Sequence, residues 1–244
     1  MRILISNDDG VFSPGIAALA KLATEFGEVR IVAPDFEQSS MGQAISPSRP
    51  LSYRRARIGP FEAFRVNGTP SDCVALGIHH WERVDVVLSG INQGLNLGNA
   101  CWHSGTLAAA KQAALFGVRG IALSAPSIEE SGDYDLLMPY ARRVLTTLLT
   151  QKPMAQLHNV NFPLTPRGIA WTKQSVRHYD GKIVPDKDPY DRLVYWFAAL
   201  PIEGVEPGTD RWAVGEDLVS ITPLRLDLTD QQCLAEDSKR LKFD

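Results

Sequence analysis

Residues 1–10 read Met1-Arg2-Ile3-Leu4-Ile5-Ser6-Asn7-Asp8-Asp9-Gly10, a short apolar run cut off by two adjacent acids and a glycine. A run of this length with so sharp a boundary is a buried strand. In an open α/β sheet, ligands sit just beyond the carboxyl ends of the strands. An acidic pair there is poorly placed for packing and well placed to hold a divalent cation through hard oxygen ligands. Taken alone, Asp-Asp-Gly reads as a turn with one acid capping the next helix. Its meaning rests on what else reaches the same edge.

Outward from this stretch the chain alternates. Ser13 then Pro14 marks a helix start, with the serine as N-cap and the proline at the first helical position. Ile16, Leu19, Ala20, Ala23 and Phe26 recur at helical spacing, and Gly27 is a C-terminal stop. Val29 to Ala33 predicts a second strand, closed by Pro34. A β-α-β unit makes the two strands parallel. The loop after the second, Pro34 to Gln43, therefore opens on the same edge as Asp8 and Asp9. Leu51 to Val66 reads as a hairpin turning at Gly59-Pro60. Thr69-Pro70-Ser71-Asp72 is a capping box opening a helix, along one face of which lie Cys73, Leu76, Gly77 and His80. Val84 to Leu88 is a further buried strand. It runs into Ser89 to Asn99, where three glycines and three asparagines predict an irregular loop. Ser104-Gly105-Thr106 opens the helix Leu107 to Phe116, whose free amides and partial positive charge make an anion site. A strand at Ile121 to Leu123, an amphipathic helix from Tyr134 to Thr150 and a short strand at Val160 to Phe162 follow.

The expected fold class is α/β: a Rossmann-like, mostly parallel sheet with helices on both faces, with residues 1–165 as the catalytic domain. From 166 to 244 the alternation weakens. Ala170 to Gln174, Leu193 to Ala199 and Val219 to Leu224 predict strands, Tyr179 to Asp191 is turn-rich, and Thr229 to Gln232 is a capping box before a last helix. This reads as an α+β extension without a large core of its own, an arm that serves oligomerisation.

Composition bounds the function. Of 244 residues, 44% are hydrophobic and 22% charged, which fits a globular chain. The formal net charge is −3, so no global field draws the chain to nucleic acid or an anionic membrane. Arg49, Arg54, Arg55 and Arg57 cluster locally and read as a solvated face rather than a phosphate site. Cys73, Cys101 and Cys233, odd in number and widely spaced, form neither a disulfide framework nor a Cys-x-x-Cys metal site. They read as buried thiols in a reducing compartment. The opening apolar run is too short for a signal peptide, and no run approaches the roughly 18 residues that cross a bilayer. The expected location is the cytoplasm.

Three loops converge on one sheet edge: Asn7 to Gly10, Asp35 to Gln43, and Ser89 to Thr106. Their carboxylates, hydroxyls, carboxamides and helix N-terminus suit Mg²⁺ or Mn²⁺ beside a phosphate. Neutral oxygen ligands leave such a cation net positive, able to polarise a phosphoryl oxygen or acidify a water. Gly90, Gly94 and Gly98 recur every four residues rather than as G-x-G-x-x-G, and no G-x-x-x-x-G-K-[ST] loop occurs. A NAD-type oxidoreductase is therefore disfavoured and a P-loop ATPase set aside. Adjacent acids after the first strand likewise disfavour a haloacid-type phosphatase. His79, His80, His158 and His178 read as surface or core residues. His103, beside Ser104, is a candidate to touch substrate or move a proton.

In order along the chain, NDDG at Asn7 to Gly10, Ser39, GTPSDCV at Gly68 to Val74, SGINQGLNLG at Ser89 to Gly98, HSGTLAAA at His103 to Ala110, TKQSVR at Thr172 to Arg177 and VSITPL at Val219 to Leu224 resemble the SurE (survival protein E) family. The resemblance implies a metal-dependent phosphatase, a 5′-nucleotidase that hydrolyses nucleoside 5′-monophosphates, with 3′-monophosphates and short polyphosphate as further substrates. It implies one divalent cation per subunit, Mg²⁺ or Mn²⁺, on Asp8, Asp9, Ser39 and Asn92. It also implies a homodimer or homotetramer that exchanges C-terminal segments. The substrate phosphate is then expected against the amides of Ser104, Gly105 and Thr106, with Asn96 as a further donor. Asp8 and Asp9 are the expected catalytic residues. Attack by a metal-activated water with Asp8 as base, and attack by Asp8 itself, both stay open. Many family members have glycine where this chain has Ser40, a departure expected to alter loop shape or substrate preference. The alternative to an enzyme is a nucleotide- or phosphate-binding regulator that keeps the site without turnover.

Overall fold

The computed structural model describes residues 1–127, 134–151, 154–176, 179–202 and 204–241. The chain opens with β1 (Arg2–Ser6), α1 (Pro14–Ala23) and β2 (Glu28–Pro34). The hairpin of β3 (Tyr53–Ile58) and β4 (Phe61–Val66) leads into α2 (Pro70–His80) and β5 (Val86–Gln93). Then come α3 (Gly105–Leu115), β6 (Arg119–Ala125), α4 (Met138–Thr150) and β7 (Leu157–Asn161). β8 (Gly168–Trp171), β9 (Tyr179–Lys187), β10 (Leu193–Pro201), α5 (Asp210–Gly215), β11 (Leu218–Leu224) and α6 (Gln231–Arg240) complete it.

One sheet runs in the order β3-β4-β2-β1-β5-β6-β7-β11-β8. From β4 to β7 each neighbouring pair is parallel. β3 and β11 join antiparallel to β4 and β7. The chain leaves β1 toward β2 and returns on its other side at β5. That reversal is a topological switch point, where an open sheet leaves a crevice for ligand. Side-chain alternation splits the core into two layers. Ile3 and Ile5 pack with Ile16 and Leu19 of α1 and Leu145 and Leu148 of α4. Leu4 faces the other way, among Val74 of α2 and Ala109 and Ala113 of α3. Helices thus cover both faces, which is the expected fold class.

Some local expectations are corrected. β5 continues through Gly90, Ile91, Asn92 and Gln93, where the glycine content predicts loop. Its register with β6 shifts between Ser89 and Asn92, and Gly90 takes a φ of 138°. Glycine here absorbs a bulge inside a strand rather than ending it. β9 is a regular strand where the sequence predicts turns. It pairs with β10 from Leu193 opposite Lys187 to Pro201 opposite Tyr179, and in a two-stranded ribbon Pro185 needs no second neighbour. α4 starts at Met138 rather than Tyr134. The cap of α6 is Asp230 rather than Thr229, its carboxylate accepting the Cys233 N–H at 2.9 Å. Cys233 is exposed, while Cys73 and Cys101 are buried. β8 and β11, beyond residue 165, are strands of the main sheet, and Val219 and Ile221 join its core. The β9–β10 ribbon forms a separate sheet, and α6 buries no residue. Arg54, Arg55 and Arg57 lie exposed on the edge strand β3, where charge discourages further pairing. Arg177 and His178 lie outside the described residues. No described helix is long and apolar enough to cross a membrane.

The α2 cap ties the fold to the site. The Thr69 hydroxyl oxygen accepts the Asp72 N–H at 3.2 Å, and the Asp72 carboxylate accepts the Thr69 N–H at 2.9 Å. The same hydroxyl donates to the Ala44 carbonyl at 2.7 Å, anchoring the long loop after β2. Thr69→Ala should cost about 1 kcal/mol and lower Tm by about 2–4 °C. Thr69→Ser, which keeps the oxygen, should melt within about 1 °C of wild type by circular dichroism.

Candidate active site

The acidic turn is shaped by Asn7. Its buried carboxamide donates to the Gly10 carbonyl at 2.9 Å and to the Ser13 hydroxyl at 2.7 Å. Ser13 stands at the start of α1 as expected, yet its side chain makes no cap bond to the helix. Asp8 is 5% exposed, and its Oδ1 accepts the Thr106 hydroxyl at 2.6 Å in the first turn of α3. Gly105 permits this approach, since a Cβ there would lie 2.7 Å from the Asp8 Cβ. Asp9 turns toward β5, its Oδ2 accepting the Gln93 N–H at 3.3 Å. The two acids are thus tied to α3 and β5.

The loop after β2 closes over them. The Gln38 N–H donates to the Asp8 carbonyl at 2.7 Å, and the Ser39 hydroxyl donates to Glu37 Oε1 at 2.6 Å. That bond spends the Ser39 hydrogen and leaves its lone pairs as acceptors. Asn92 Nδ2 donates to the Gly94 carbonyl at 2.7 Å, which commits its nitrogen and leaves Oδ1 to ligate. Asp8, Ser39, Ser40, Asn92, Asn96, His103 and Ser104 line one cleft of about 660 Å³. Asp9 lines an adjoining cleft that shares Ser39 and Gln93 with the first. Ser40 takes a φ of 61°, in the region that favours glycine, so this serine carries local strain.

The expected phosphate-side residues divide. Ser104 lines the cleft while its Oγ accepts the Leu107 N–H at 3.0 Å as the α3 cap. Gly105 and Thr106 are buried behind it, and the Thr106 hydroxyl is given to Asp8. Asn96 borders the cleft, but its amide turns inward, donating to Ser124 Oγ at 2.9 Å and Thr106 Oγ1 at 3.4 Å. It braces Thr106 rather than offering a free donor. Sequence reasoning missed Gln93 and the hairpin residues Phe197 and Ala199, which also line the first cleft, and Glu37, which lines the adjoining one. An acid two residues before Ser39 was a usable signal for Glu37. Phe197 and Ala199 carried none, because only the docking of β10 brings them there.

The acids repel and are undersolvated. Burial raises Asp8 above the ordinary 3.8, against the lowering effect of the Thr106 bond. Burial, then the charge of Asp8, pushes Asp9 up to about 6, and Glu37 raises both. Among the described residues, neither acid forms an ion pair with a lysine, arginine or histidine. No group of three or more His, Cys, Asp or Glu among the described residues could hold a metal. A cation here would take two carboxylates and neutral oxygens, a donor set that fits a hard ion and not a thiophilic one.

Fold and site together define an α/β protein with an acidic, oxygen-lined cleft at the switch point of its parallel sheet. The chain belongs to the SurE family, whose model, described as survival protein SurE, matches residues 3–181. A Thermus thermophilus protein named 5′-nucleotidase SurE 1 is 44% identical over 234 residues, spanning 94% of this chain and 93% of its own. A Deinococcus radiodurans 5′-nucleotidase SurE is 41% identical over 244 residues, covering 96% of this chain and 91% of its own. The crystal structure of the SurE protein from Aquifex aeolicus superposes with a TM-score of 0.84 at 35% identity, covering 99% of this chain and all of that one.

The raised Asp9 value has a stability consequence of definite sign. An acid with a higher value in the fold than in the unfolded chain holds its proton more tightly when folded. The fold is therefore penalised fully above about pH 6, and the penalty fades as pH falls through that value toward 3.8. In EDTA, wild type should gain on the order of 1 kcal/mol relative to Asp9→Asn between pH 7.5 and pH 5. Urea unfolding of both proteins at each pH reads this, and parallel pH curves would remove the assignment.

Proposed function

We propose that this chain is a 5′-nucleotidase that hydrolyses nucleoside 5′-monophosphates with the help of one Mg²⁺ or Mn²⁺ per subunit. The observation that carries the proposal is an adjacent carboxylate pair, Asp8 buried and Asp9 half-buried, that has no ion-pair partner among the described residues and borders adjoining clefts, the first partly lined by apolar residues. The names of the relatives support the same class of reaction. Asp8, Asp9, Ser39 Oγ and Asn92 Oδ1 would hold the cation. Such a cation, when bound, supplies Lewis-acid withdrawal of charge from phosphoryl oxygens.

The residues of the chain do the rest. Ser104, at the start of α3, would face the phosphate from the cleft wall, and the helix terminus favours its negative charge. The burial of Asp8 and its bond from Thr106 favour orientation and deprotonation of a water over attack by its own oxygen. The water oxygen forms the new bond to phosphorus, the bond to the 5′-oxygen breaks, and that oxygen takes up a proton. His103, exposed on the cleft wall, is positioned to supply it. Phe197, Ala199 and Ala100 form an apolar wall suited to the nucleobase. Nucleoside 3′-monophosphates and short polyphosphate present the same phosphoryl group and are proposed as further substrates. Tyr195, Trp196 and Leu200 on β10 are exposed, and with α6 they support a homodimer or homotetramer. A regulator that binds without turnover is the competing reading, distinguished by stoichiometric AMP binding with no phosphate release.

Asp8→Asn and Asp9→Asn should each cut phosphate release from AMP by roughly 100- to 1000-fold or more, with unchanged circular dichroism. EDTA should silence the wild type, and Mn²⁺ or Mg²⁺ should restore it. Near-normal turnover by either variant in a metal-replete assay would sink the assignment. Phe197→Ala should raise KM for AMP roughly tenfold with kcat nearly unchanged, since stacking a base contributes about 1–3 kcal/mol. Turnover of glycerol 2-phosphate, which has no base, should stay constant; a parallel loss on both substrates would place Phe197 outside base recognition.

A further inference from the structure

We infer that Asn161, assisted by Asn159, is a positioning residue for the Asp8 carboxylate, acting through Asn96 and Thr106. The catalytic part of this inference rests on the proposed reading of the site. β7 is parallel to β6, so its carboxyl end opens on the same edge as Asp8. A strand covered on both faces is expected to be apolar, yet Asn159 and Asn161 are 1% and 0% exposed. Two residues apart on a strand, they point to the same side. Burying a carboxamide is costly unless its polar atoms are bonded.

Both residues bond to Asn96; Asn159 Nδ2 also lies 3.5 Å from Cys101 Sγ, and Asn159 Oδ1 has no partner among the described residues. Asn161 Oδ1 accepts the Asn96 N–H at 2.8 Å, and Asn161 Nδ2 donates to the Asn96 carbonyl at 3.2 Å. Asn159 Nδ2 donates to the same carbonyl at 2.8 Å. The main chain of Asn96 is thereby gripped at its donor and its acceptor. This segment needs such a grip, because Gly94 and Gly98 flank it at φ 137° and 50° and glycine gives the backbone little stiffness of its own. At the far end the Gly98 N–H donates to the buried Asp210 Oδ2 at 2.9 Å.

From Asn96 the order passes to the acid. Asn96 Nδ2 donates to Thr106 Oγ1 at 3.4 Å, occupying a lone pair of that oxygen. The Thr106 hydroxyl hydrogen is then directed at Asp8 Oδ1, 2.6 Å away. Supporting bonds of this kind set the orientation of a ligating or catalytic carboxylate, and their loss typically costs about 10- to 100-fold.

The test pairs kinetics with exchange. Asn161→Ala should lower kcat for AMP roughly 10- to 100-fold while KM stays within about threefold. Asn159→Ala should cost less, because Asn161 still donates to the Asn96 carbonyl. The double variant Asn161→Ala with Asn96→Ala should be no slower than Asn96→Ala alone, as expected for residues acting in series. In the metal-free protein, hydrogen–deuterium exchange read by mass spectrometry should show residues 94–98 losing protection in Asn161→Ala. A folded Asn161→Ala with kcat within about threefold of wild type, a double variant whose loss is the product of the single losses, or unchanged exchange would overturn the inference. If Asn161→Ala does not fold, Asn159→Ala carries the same comparisons. If the wild type releases no phosphate from AMP, the functional reading fails, and the exchange experiment still decides whether Asn161 clamps the loop.

Discussion

Two adjacent carboxylates, one buried and one half-buried, repel unless something balances them, and the architecture around β1 is arranged about that constraint. Asp8 and Asp9 lie just past the central strand, Asp8 buried and Asp9 half-buried. Each is turned toward a different element: Asp8 to the first turn of α3, Asp9 to the end of β5. Gly105 is required where it stands because any side chain would collide with Asp8. Ser39 and Glu37 close the third side with oxygen atoms, not with cations. The site therefore concentrates negative charge that no described cationic side chain neutralises, a donor set of the kind that suits a hard cation.

The sheet makes this concentration geometrically available. Because β2 and β5 flank β1 and run parallel to it, the loops after all three open on one edge. The reversal of strand order at β1 parts the crossover helices, α1 and α4 to one face and α2 and α3 to the other. The crevice that results is lined by the ends of strands and the start of a helix. These are the places where backbone groups are least satisfied internally and most available to ligand.

The C-terminal third serves two purposes. β8 and β11 widen the sheet past β7 and contribute Val219 and Ile221 to its core. The β9–β10 ribbon instead leaves the body and returns Phe197 and Ala199 to the cleft. Gly181 makes room for the Phe197 ring, since a Cβ there would meet it at 2.5 Å. One short segment thus supplies both an exposed apolar face and part of the cleft wall.

Much of this was legible in the chain. The strand–acid–glycine boundary at residues 1–10, the Ser13-Pro14 and Thr69-Pro70 helix starts and the β-α-β order specify a mostly parallel sheet and bring Asp8, Asp9, Ser39, Asn92 and Ser104 to one edge. Local chemistry decides these, because caps, breakers and periodicity act over a few residues. What local chemistry could not decide is direction. Asn96 reads as a donor to a phosphate, yet the tertiary structure turns its side-chain amide inward to Ser124 and Thr106. Asn159 and Asn161 gave no local sign of a role, and Phe197 none of a place in the cleft. Glycine in Ser89 to Gly94 predicted a loop, whereas pairing with β6 keeps it a strand through Gln93. In each case the outcome depends on partners tens of residues away, whose hydrogen bonds and packing outweigh local propensity once the chain is closed. The sequence alone determined which atoms gather at the end of β1; only the tertiary structure decided which of them face the cleft and which are spent holding the others.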